Sequence, residues 1–123
     1  MRVLVFRPSC DGVIETIPSG PSPDAPVAAL RSIVGGRLTR IGVLRHDGSA
    51  TVALFGRDDA MDAASGSPPN IHLESGVVHG TVVCVCVDSN GSPASLSESG
   101  EFWARETVHL LKHIAVIRGS WLN

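Results

Sequence analysis

"TVVCVCVDSNG", residues 81–91, decides the fold. In an extended chain Val83, Val85 and Val87 point to one face and Cys84 and Cys86 to the other. Both faces are therefore apolar, which marks a central strand covered on both sides. The strand is expected to run from about residue 77 to 88, and Asn90-Gly91 closes it in a turn. A rival reading makes the two thiols metal ligands. A structural zinc site takes four ligands, usually as two spaced pairs, and C-x-C with Cys10 far off in sequence fits that poorly. Their Cα atoms, about 6.5–7 Å apart along a strand, stand at the limit for a disulfide. A reduced cysteine packs as a small hydrophobe, so Cys84 and Cys86 are assigned to the core.

Working outward, "RVLVFR" at 2–7 is a strand ended by Pro8, and Asp11-Gly12 turns the chain into a second strand, 13–17. "PSGPSPDAP", 18–26, holds four prolines in nine residues and is a stiff loop. Asp24 is a candidate N-cap for a short helix, 26–34, with Val27, Leu30 and Val34 on one face and Gly35-Gly36 as the stop. Residues 38–45 and 51–56 form the clearest hairpin, turning at Asp47-Gly48. The first half of 57–70 suits one or two helical turns. The longest helix is expected at 101–118, with Trp103, Thr107, Leu110, Leu111, Ile114 and Ile117 as its apolar stripe. Glu101, Arg105, Glu106, His109, Lys112 and His113 occupy its other side. The sum is an α+β domain, a mostly antiparallel sheet of about five strands with two helices, spanning 1–123 as one unit.

Composition narrows the function classes. The chain has 123 residues, 43% hydrophobic and 18% charged, enough for a packed core. Its formal net charge is −2, the arginines are scattered, and aromatics are few, so nucleic acid is not supported as a partner. No apolar run reaches the ~20 residues that cross a bilayer, and the N-terminal run is too short for a secretory signal. Three cysteines, an odd number, suit a reducing compartment. A cytoplasmic protein without membrane attachment is expected.

No motif declares an enzyme. G-x-G-x-x-G, the phosphate-binding loop and the nucleophile elbow are missing from the sequence. Glu106, His109 and His113 share a helix face at metal-ligand spacing, though the polar face of any amphipathic helix carries such residues. Asp58 and Asp62 at helical spacing, with His79, outline a metal-dependent hydrolase, against which stands the ordinary preference of acids for a first helical turn. Arg40, Arg57 and Asn70 are candidate contacts for a small nucleotide, because arginine forks suit phosphate. Their pocket would lie between loop 57–70 and the proline-rich 18–26. No cofactor is implied. Apolar surplus favours a binding module that works as a homodimer, with Trp103 and Trp121 as candidate interface residues.

The segments "VLVFRP" (3–8), "ETIP" (15–18), "ALRSIVGGRLTRIGVL" (29–44), "PPNIHL" (68–73) and "GVVHGTVVCVCVDSNGSPASLSES" (76–99) together resemble a family of small proteins of unknown function common in bacteriophages, plasmids and large DNA viruses. The resemblance covers about residues 1–99 and makes 100–123 a C-terminal helical extension. "GRDDAMD" and the long link 18–26 depart from the family's pattern. The resemblance implies no activity. It implies a viral or mobile-element source and an accessory role inside a host, with a host protein or small nucleotide as possible partner.

Overall fold

The valine–cysteine run forms the centre of a six-stranded sheet. The computed structural model describes the backbone of residues 1–47 and 50–122 and the side chains of 1–46 and 50–112. In chain order the elements are β1 (Arg2–Phe6), β2 (Val13–Thr16), α1 (Asp24–Val34), β3 (Leu38–Asp47), β4 (Ala50–Arg57), a short 3-10 turn (Ala63–Ser65), β5 (Pro69–Leu73), β6 (Gly76–His79), β7 (Val82–Val87), β8 (Pro93–Ala94) and α2 (Glu98–Leu122). The main sheet runs β2-β1-β7-β4-β3, with β8 also paired to β7, and every pairing described in it is antiparallel. This is the α+β architecture expected. β5 and β6 make a separate hairpin.

Both faces of β7 are covered, as its composition requires. Cys84 stands in register between Leu4 of β1 and Leu54 of β4. Those three join Ile71 and Val78 of the β5–β6 hairpin and Ala104 and Val108 of α2 in one buried cluster. On the other face Val83 and Val85 pack with Val3, Val5 and Ile17 against Leu30 and Val34 of α1. Burying each Val or Leu is worth about 1.5–3 kcal/mol, so the layer on each side contributes substantially to stability. Cys86 is half-buried against the first cluster.

Four expectations need correction. The single strand over 77–88 is two strands in two sheets. Gly80 takes φ 82°, a left-handed turn that an apolar run does not announce. His79 N–H then donates to Ala60 at 2.7 Å and Gly80 N–H to Pro68 at 2.8 Å, so the chain leaves one sheet before entering the other. Asp24 does not cap α1. It lies inside the helix, Pro23 holds the cap position, and Ser22 Oγ accepts from Asp24 N–H at 3.3 Å. α2 starts at Glu98, three residues early, because Ser97 Oγ accepts from Gly100 N–H at 3.0 Å. In 57–70 the helical content is limited to the 3-10 turn, where Asp62 accepts from Ala64 N–H at 2.9 Å. Gly35, φ 84°, stops α1 as expected.

Candidate functional site

α2 has two apolar sides, and the smaller residues face inward. Ala104 is 1% exposed and Val108 0%, against the first core cluster. Phe102, Trp103 and Leu110 are 56%, 46% and 57% exposed. Of the stripe read from the sequence, Leu111 alone among the described side chains packs against that cluster. The stripe Trp103–Thr107–Leu110 is therefore not the packed face, which corrects the expectation. Small side chains at 100, 104 and 108 let the helix approach the sheet and hairpin closely, and the bulky ones are left outside. Phe102 and Trp103 meet edge to face, centroids 5.5 Å apart, and the Arg45 guanidinium lies 4.7 Å above the Trp103 ring. Trp121 and His113 fall outside the described side chains.

The polar side of α2 clamps the β1–β2 loop. Glu101 accepts from Arg2 at 2.5 Å and from Arg105 at 3.0 Å. Arg105 donates to the Gly12 carbonyl at 2.6 Å, and Lys112 Nζ to the Cys10 carbonyl at 2.7 Å. Burial holds the Lys112 ammonium below its ordinary value. A cleft of about 430 Å³ remains here, with Cys10, Asp11, Glu106 and His109 on its walls. Glu106 and His109 thus reach the same cleft, but among the described residues no three of His, Cys, Asp and Glu gather closely enough to hold a metal.

Arg40, Arg57 and Asn70 are not brought together. Arg57 grips Asp59 through two nitrogens and donates to Ser67 Oγ at 3.2 Å. That pairing raises the arginine's pKa and holds the Asp59 carboxyl below its usual range, the hydrogen bond being the larger cause. His79 lies beside it, Nδ1 donating to the Ser67 carbonyl at 3.1 Å in the tautomer that fits. Asn70 is 8% exposed, and its amide nitrogen donates to the carbonyls of Phe6 at 2.9 Å and Gly80 at 2.8 Å. It is a structural clasp between the main sheet and the hairpin, a role no local pattern in the sequence betrays. Asp62 is occupied in capping the 3-10 turn and does not share a site with Asp58 and His79.

Arg40 lies elsewhere, on the wall of a groove of about 530 Å³ beside the start of α1. Val27 of α1, Leu38 and Phe55 of the β3–β4 hairpin, Val87 of β7 and Pro93 of β8 are among its walls. Arg40 stands opposite Phe55 in the strand register. Sequence reasoning selected Arg40 but missed the groove, because its walls come from elements far apart in the chain, α1, β3, β4, β7 and β8.

The thiols are sorted by environment. Cys84 is fully buried and desolvation pushes its pKa up to about 12, while Cys10 is exposed. Among the described residues no helix is long and apolar enough to cross a membrane. Compared with known protein families, curated proteins and solved structures, the chain matches none.

Proposed function

We propose that this chain is a non-enzymatic binding module that works as a homodimer joined through the outer face of α2. The observation that carries the reading is the outward placement of Phe102, Trp103 and Leu110, each about half exposed while Ala104 and Val108 serve the core. Large exposed apolar patches on a folded protein mark interaction surfaces. The sequence from Trp103 onward also carries a repeat. Trp103, Thr107, Leu110, Ile114, Ile117 and Trp121 recur at intervals of 4, 3, 4, 3 and 4 residues, the spacing of a coiled-coil seam. A seam of this kind is satisfied by another helix with the same spacing, and every copy of the chain carries one, which favours an isologous pair.

The accessory role in a phage, plasmid or large DNA virus rests on the resemblance of residues 1–99 and on nothing else. Three cysteines without a disulfide suit action in a reducing cell interior. Light scattering tests the assembly. The protein is expected to weigh twice the 12.9 kDa of one chain when concentrated, and Leu110→Asp to weigh one chain with its circular dichroism intact. A wild type that remains a single chain at every concentration defeats the reading.

A further inference from the structure

We infer that the groove beside α1 is a binding site for an amphipathic small molecule with an apolar body and a single carboxylate. The inference is independent of the dimer, since the groove lies on the α1 side of the sheet and the seam on α2. Its capacity, about 530 Å³, falls in the range of small-molecule pockets, roughly 300–1,000 Å³. Val27, Leu38, Phe55 and Val87 are each only half-buried by the protein itself. α1 covers the sheet through Leu30 and Val34, and Pro23 and Val27 at its start face Leu38 and Val87 across the groove. An apolar chain laid there would complete the burial that α1 leaves unfinished.

The charge on the wall selects the ligand's other end. Arg40 is the sole ionisable side chain among the described residues lining the groove, and no acidic one accompanies it. Among the described residues no hydrogen bond or ion pair engages its guanidinium, whereas Arg2, Arg7, Arg57 and Arg105 each have a carboxylate partner. A planar donor fork beside apolar walls matches a carboxylate carried on a hydrocarbon. A nucleotide fits less well, because its sugar and several phosphates would find one cation and few polar groups.

Titration calorimetry with decanoate, kept below its micellar range, and with decanol tests this. Decanoate is expected to bind one per chain, about tenfold more tightly than decanol, the difference that one charge-assisted hydrogen bond supports. Arg40→Gln, at an exposed strand position, is expected to bring decanoate down to the level of decanol and leave decanol unchanged. Val27→Trp, which fills the groove, is expected to remove both, with an unaltered urea midpoint showing that the fold survives. No binding of decanoate to the wild type overturns the inference. So does decanoate binding that ignores Arg40→Gln or survives Val27→Trp. Decanoate affinity that falls as the protein is concentrated would put a second copy in the groove and overturn it as well.

Discussion

α1 and α2 cover opposite faces of one sheet, yet they use their apolar residues in opposite ways. In α1 most of the stripe visible in the sequence packs: Leu30 and Val34 are buried against Val83 and Val85 with Ile33 beside them, while Val27 lines the groove. In α2 Phe102, Trp103 and Leu110 face out, and Ala104 and Val108, one and five positions beyond Trp103, face in. The difference teaches that periodicity reveals apolar faces without saying which of two a fold will use. The choice is made by distance. The β5–β6 hairpin lies under α2, and Ile71 and Val78 meet Ala104 and Val108 there, with Leu111 at the cluster's edge. α1 sits on a bare sheet and can carry leucine.

The largest effect should come from reversing polarity on each side of α2. Val108→Asp buries a charge with no partner and is expected to cost about 3 kcal/mol or more in urea unfolding. Leu110→Asp, two residues on, is expected to change the stability of the single chain by less than about 0.5 kcal/mol. Equal losses would erase the distinction between the two sides. Asn70→Ala comes next. It removes two buried hydrogen bonds that hold the hairpin on which α2 rests, and a loss of about 1–3 kcal/mol is expected. Amide exchange should quicken in β5, β6 and α2 well before α1.

Thiol labelling sharpens the same contrast without mutation. Cys10, in the exposed loop, is expected to react with a maleimide at neutral pH, and Cys84 only after denaturation, its burial raising its pKa to about 12. Rapid native labelling of Cys84 would mean that α2 does not seal its face. The smallest effect belongs to the α1 side, where Arg57 touches the turn after α1 and pairs with Asp59. The Asp59 carboxyl is held below its unfolded value, so its contribution is present above the ordinary carboxylate range, about pH 3.9, and is lost as pH falls through the lower folded value. The stability difference between wild type and Asp59→Asn should therefore shrink on acidification. A difference that does not vary with pH would remove the pairing from the account.

The parts legible in the sequence were those set by local chemistry. Alternation at Val83, Cys84 and Val85 specified a doubly covered strand and Gly35 a helix stop, whereas the turn between the first two strands, expected at Asp11-Gly12, falls earlier, where Cys10 N–H donates to the Arg7 carbonyl at 3.1 Å and Ser9 takes φ 60°. The parts that escaped were set by contacts distant in sequence. Nothing local distinguishes Val77–Val78 from Val82–Val83, and the break between them depends on Gly80 meeting Pro68 and Asn70. Arg40 and Arg57 look alike in sequence, but only the second has an aspartate two residues away to occupy it. The groove and the clamp on the β1–β2 loop were invisible for the same reason: each is assembled from elements far apart in the chain.

The most direct test is how the urea midpoint responds to protein concentration. Dimerisation through α2 predicts that the wild-type midpoint rises with concentration, since association stabilises the folded chain by mass action. Leu110→Asp should then unfold at one midpoint throughout, matching the dilute wild type. A wild-type midpoint indifferent to concentration, or a Leu110→Asp variant as unstable as Val108→Asp, would contradict the assignment of the two sides of α2.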